Sequence, residues 1–305
     1  MPINPRADRW PWFGVAIVAA ILLAVAAAIV AGVDDGPQPP FLDPTFVPEQ
    51  EPAPFPDGAL HLAGSGSNLP LTRRLARAYG EAGNARPIVH PSIGSGGGVR
   101  AVLDGAIAVA LVSRPLKPAE RERGLVATPY ARLPVVIGAH VDVPEQSITP
   151  EGLVDVYAGR RTQWSNGARI FVLQREPGDS SHAVVDDAVP EFREANEHAY
   201  RGNRWRVLYH DASMMEALAN TQGSIGLHSG ALDPDTPFKA LAFDGVEPTL
   251  EAVASGRYPL YKDLAFVTVG PPTGEARAFI DFVASIPDDE LFRERGAIRL
   301  RAGGG

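Results

Sequence analysis

From residue 59 onward, short apolar runs alternate with stretches whose apolar positions recur every three or four residues. That change of period predicts strands alternating with helices, hence an α/β architecture with mainly parallel sheets. Residues 59–63 read as a strand and 71–79 as an amphipathic helix, with Leu71, Leu75 and Tyr79 on one face. Strands at 87–90 and 107–112 bracket a helix at 99–103. A second series follows: strand 133–140, helix 150–157, strands 168–174 and 206–210, helix 212–219, strand 224–227. Strand 238–243, helix 250–254, strand 264–269 and helix 274–286 complete it. No repeat of 20–50 residues is present. The pattern predicts two α/β lobes, the first from 58–132 and 233–305, the second from 133–232. A ligand between them would sit where loops at strand C-termini face one another.

Residues 10–33 break this pattern with an unbroken apolar stretch that contains no charged residue. As a helix at 1.5 Å per residue it would span roughly 36 Å, enough for a hydrocarbon core. Arg6 and Arg9 precede it and Asp34 and Asp35 follow, so the positive-inside rule puts the N-terminus in the cytoplasm and the rest outside. Residues 1–33 are therefore expected to be an N-terminal transmembrane anchor holding the protein at the cytoplasmic membrane. A cleaved signal sequence, with Ala26-Ala27-Ala28 as a small-residue site, is the other reading. Residues 34–57 are rich in proline and read as a semi-extended spacer, or as a tail packed on the domain through Phe41, Phe46 and Phe55.

Composition narrows the chemistry. The 305 residues are 45% hydrophobic and 21% charged, enough for a substantial core. A net charge of -8 argues against a broad nucleic-acid surface. With no cysteine, disulfides and thiolate metal sites are excluded. The histidines show no metal-ligand spacing, so neither metal nor cofactor is expected.

Two Gly/Ser loops, Gly64-Ser65-Gly66-Ser67-Asn68 and Gly94-Ser95-Gly96-Gly97-Gly98, each follow a strand and lead into a helix. Helix N-termini present unpaired N–H groups and the positive end of a dipole, so such loops suit a small anion. Neither loop has the spacing of a nucleotide phosphate loop or of a dinucleotide fingerprint. A third turn, Arg175-Glu176-Pro177-Gly178-Asp179-Ser180-Ser181, adds a guanidinium and two hydroxyls.

Together with Leu69-Pro70, Val99 and Ser113-Arg114-Pro115-Leu116, these segments occur in the order seen in periplasmic phosphate-binding proteins of ABC transporters, which the chain resembles from about residue 59 to 298. Thr221-Gln222-Gly223-Ser224-Ile225-Gly226 and Gly256-Arg257-Tyr258-Pro259-Leu260 are similar to further segments of that family. The resemblance implies a two-lobed type II periplasmic-binding-protein fold, no enzymatic activity, and inorganic phosphate or a similar oxyanion handed to a transporter permease. It also implies contacts from Ser67, Asn68 and the backbone of Leu69, from Ser95, from Ser113, and from Arg175, Asp179, Ser180 and Ser181. Arg114 is a further candidate, for the anion or for a nearby carboxylate.

The chain departs from the family pattern. Asn68 replaces a common Thr, Ser113 stands where an Asp is usual, and Asp179-Ser180 replaces Ser-Gly. The Asp matters because protonated phosphate can donate to a carboxylate whereas sulfate cannot. Asp179 fits either as a replacement acceptor or as an N-cap. His182, beside it, is expected at a solvated helix position. Two other functions fit the same residues: a membrane-tethered phosphate sensor or scaffold, and a Gly-Asp-Ser hydrolase with Ser180 as nucleophile. The hydrolase reading lacks a histidine after His228.

Overall fold

The computed structural model describes residues 58–209, 211–230, 235–287 and 289–301. The expected N-terminal span and the proline-rich spacer lie outside them. Among the described residues no helix is long and apolar enough to cross a membrane.

Among the described residues eleven strands form one hydrogen-bonded system: β1 (His61–Gly64), β2 (Ile88–Val89), β3 (Val109–Val112), β4 (Leu125–Ala139), β5 (Ser147–Ile148), β6 (Phe171–Arg175), β7 (Arg206–Leu208), β8 (Ser224–Ser229), β9 (Lys239–Phe243), β10 (Tyr261–Val269) and β11 (Ile298–Arg299). The main order is β2-β1-β3-β10-β4-β8-β6-β7. β1 pairs in parallel with β2 and β3, and β6 pairs in parallel with β7 and β8. β10 and β4 run antiparallel between these two parallel sets.

Alternation along the strands builds two apolar faces in the first lobe. Leu62, Val109, Leu111, Leu264 and Phe266 pack against Leu71, Leu75 and Tyr79 of the helix Leu69–Glu81 and Phe279 of the helix Gly274–Ser285. Their neighbours Ala63, Ala110, Val112, Ala265 and Val267 face the other way, onto Val99 and Val102 of the helix Gly94–Leu103. Each fully buried Leu or Phe contributes about 1.5–3 kcal/mol. The second lobe repeats the plan, with Val135, Ile137, Ile225, Leu227 and Leu241 against Tyr157 and Phe192.

The lobes share β4. Its first part, to Pro134, pairs with β10, and from Val135 to Ala139 it pairs with β8. The chain returns through residues 258–262, where Tyr258 Oη donates to Val135 O (2.7 Å) and Val135 N donates to Leu260 O (2.7 Å). Two adjacent crossings therefore join the lobes.

Residues 239–260, assigned above to the first lobe, pack in the second. β9 pairs with β4 and β5, and Ala252, Val253, Tyr258 and Leu260 share the core of Val135 and Ile137. Helices that the periodic pattern did not mark, among them Pro190–Arg201 and Glu290–Arg293, complete the layers.

Candidate functional site

The C-terminal ends of β1, β3, β6 and β8 converge on one cleft, and each delivers a serine or arginine to it. At the end of β1 the backbone is pressed against β3: a Cβ on Gly64 would lie 2.0 Å from Leu111 O. A Cβ on Gly98 would lie 2.9 Å from Gly64 Cα, so the helix Gly94–Leu103 rests directly on that strand end. Only glycine permits either approach. The helices beginning at Leu69, Gly94 and Ser180 thus start around the same cleft.

A chain of hydroxyls links the lobes. Ser113 Oγ lies 2.7 Å from Ser65 Oγ and donates to Ser180 Oγ across the cleft (2.8 Å). Ser95 Oγ accepts from Ser113 N (3.3 Å). Ser229, at the end of β8, approaches Ser67 (3.3 Å) and Ser181 (3.0 Å). At the centre stands a residue that sequence reasoning missed: Lys262 Nζ donates to Ser67 (2.8 Å), Ser180 (2.9 Å) and Ser181 (2.9 Å).

Arg175, at the end of β6, is buried, and its Nε donates to Leu208 O (3.1 Å). Three carboxylates surround it: Glu176 (3.1 Å), Asp179 (3.5 Å) and Asp211, whose Oδ1 accepts from Nη1. Burial opposes its charge, but Asp179, Asp211 and Glu176 outweigh that and raise its pKa. Asp179 caps the helix Ser180–Ala188, its Oδ1 accepting from Ser181 N (2.9 Å) and His182 N (3.2 Å). Burial would raise its pKa, yet hydrogen bonding from His182 and the charges of Lys262 and Arg175 hold it well below the usual carboxylate range.

Ser67, Ser95, Ser113, Arg175, Asp179, Ser180 and Ser181 are thus brought together. Asn68 and Leu69 stand back from the cleft. Asn68 Nδ2 donates to Val112 O (3.3 Å) and Tyr130 Oη (3.1 Å) inside the first lobe, and the Leu69 N–H is taken by Gly66 O. Arg114 reaches the rim, where both its terminal nitrogens donate to Glu120 (2.8 and 2.7 Å). His182 is buried rather than solvated, among Tyr157, Phe192 and Tyr200. Among the described residues the partners of Ser180 Oγ are Ser113 and Lys262, so the histidine base of the Gly-Asp-Ser hydrolase reading is not beside it. A cavity of about 440 Å³ opens beside this network, lined by Gly66, Ser67, Ser95, Arg175, Asp179 and Ser180.

Two α/β lobes on two crossings, with a polar cleft at the strand ends, define a bilobal binding protein. The PBP superfamily domain model matches residues 49–286, and the chain belongs to that superfamily. It is similar to the phosphate-binding protein PstS of Borreliella burgdorferi, 21% identical over 249 residues covering 79% of this chain and 89% of the relative. It is also similar to PstS of Bacillus subtilis, 24% identical over 238 residues covering 75% and 76%. Among solved structures, a putative phosphate ABC transporter substrate-binding protein from Clostridium perfringens, with bound phosphate, superposes with a TM-score of 0.71 at 23% identity, covering 80% of this chain and all of that one.

Proposed function

We propose that this chain is an extracytoplasmic solute-binding protein that captures a tetrahedral oxyanion, phosphate foremost, between its lobes and presents it to an ABC-transporter permease. The carrying observation is the meeting of Ser67 and Ser113 from one lobe with Arg175, Ser180 and Ser181 from the other at one cleft. The PstS relatives and the phosphate-bound neighbour support phosphate as the ligand.

Hydroxyl and N–H donors from both walls suit an anion that accepts on every face. Closing the lobes excludes water and strengthens each charge-assisted bond. Motion would bend the two crossings, where β4 passes from one sheet to the other. Asp179 Oδ2, which faces Arg175, is the acceptor available for a proton on the ligand. No bond is made or broken, so binding and release are the whole activity. Residues 10–33 and the proline-rich segment would tether the protein at the membrane and raise its effective concentration at the permease.

Calorimetric titration with phosphate, sulfate, arsenate and molybdate tests the reading. Saturable heat with phosphate is expected, and absence of binding to all four would refute it.

A further inference from the structure

Lys262 is a strand residue whose side chain points inward. It shares one face of β10 with Leu264 and Phe266, and it is 3% exposed. An ammonium has three donors and no acceptor, and three serine oxygens stand at 2.8–2.9 Å from Nζ. No carboxylate among the described residues lies within 4 Å of it; burial lowers its pKa, Arg175 pushes the same way, and Asp179, Asp211 and Glu176 oppose them from further away. Its positive charge is buried with hydroxyls alone as direct partners. Such a charge is costly to bury until an anion joins it.

The hydrogen-bond directions follow from this charge. Each serine oxygen that accepts from Nζ must send its own hydrogen elsewhere. Ser180 Oγ also accepts from Ser113, which uses both its lone pairs and leaves its O–H free to donate into the cleft. Ser67 and Ser181 share Ser229, whose single hydrogen can serve only one of them. Arg175 does not supply a comparable charge, because Asp211, Glu176 and Asp179 all flank it.

We propose that Lys262 is a specificity-determining residue of this site, which fixes Ser67, Ser180 and Ser181 as donors and supplies the positive charge that selects a tetrahedral dianion. The inference rests on the oxyanion reading above. An anion held by these hydroxyls would lie about 5 Å from Nζ, where a unit charge pair at an effective dielectric near 20 amounts to roughly a hundredfold in Kd.

The test is calorimetry and thermal melting of the full-length protein with inorganic phosphate, comparing wild type with Lys262→Met, Lys262→Gln and Lys262→Arg. Loss of phosphate affinity by about a hundredfold is expected for Met and Gln, with Arg restoring most of it and the ligand-free melting temperature of the Gln variant staying near wild type. Gln keeps a donor without the charge, so it separates charge from hydrogen bonding should the Met variant fold poorly. Phosphate binding by Lys262→Gln within threefold of wild type would overturn the proposal. Wild-type protein that binds none of the four oxyanions would instead overturn the oxyanion reading, and this inference with it.

Discussion

His228 lies on β8, one residue before Ser229, buried against the edge of Phe238, and its Nδ1 has no hydrogen-bond partner. Burial lowers its pKa to about 4; Lys262 and Arg175 push the same way, and Asp211 opposes them. Its unfolded value is about 6.5. The folded protein therefore keeps His228 neutral over a window in which the unfolded chain binds a proton. Stability is fully present above pH 6.5 and falls as the pH drops toward 4, because protons favour the unfolded state. The whole window amounts to about 3 kcal/mol at 1.36 kcal/mol per unit, and acidification from pH 7 to 4.5 uses about 2 kcal/mol of it. Urea unfolding of wild type and His228→Gln at both pH values measures this, since the difference between the two proteins cancels the other titrating groups. The wild-type advantage over the variant should shrink by about 2 kcal/mol at pH 4.5. Parallel pH profiles would show that His228 titrates as an exposed imidazole does and that burial does not hold it neutral.

Asp179→Asn should destabilise the protein by about 1–2 kcal/mol at pH 7, by weakening a cap and removing the charge beside Arg175. Because the folded pKa of Asp179 is depressed, that contribution is present above about pH 4 and lost below it. Wild-type and variant denaturation curves should therefore approach one another as the pH falls from 5 to 2. Gly64→Ala should cost at least about 2 kcal/mol, seen in a thermal melt, since its Cβ would meet Leu111 O at 2.0 Å. Tyr258→Phe should cost about 1 kcal/mol in urea unfolding by removing the hydrogen bond to Val135 O at the crossing.

The fold was legible where the chain is periodic. The expected helices at 150–157 and 250–254 coincide with the observed Pro150–Tyr157 and Leu250–Ala254, each started by a threonine cap. β4 was legible only in its second half. Its first half carries Pro129, and the pairing with β10 shifts register where Ala131 and Pro129 oppose Leu264 and Ala265. Proline cannot donate to the ladder, and the bulge breaks the alternation a sequence pattern relies on.

The candidate site was legible where Gly and Ser mark strand-to-helix turns, and the resemblance then pointed to Ser67, Ser95, Ser180 and Ser181 within or beside those turns, which the structure brings to one cleft. Lys262 escaped because the strand was read as starting at 264, which left the lysine in a loop. Its signal was the period of two itself: Lys262 shares parity with the buried Leu264 and Phe266. Asn68 stands apart from these serines for a different reason. Motif position puts it in the loop, whereas the turn Gly66–Asn68 rotates its side chain toward Tyr130, a partner 62 residues away.

An oxyanion held between the lobes on this serine and arginine cluster would be seen in a crystal structure of the protein grown with phosphate. The expected result is a tetrahedral anion within about 2.7–3.2 Å of donors on Ser67, Ser180 and Arg175. Saturable phosphate binding in solution, with the anion located elsewhere or the cleft holding only water, would contradict it.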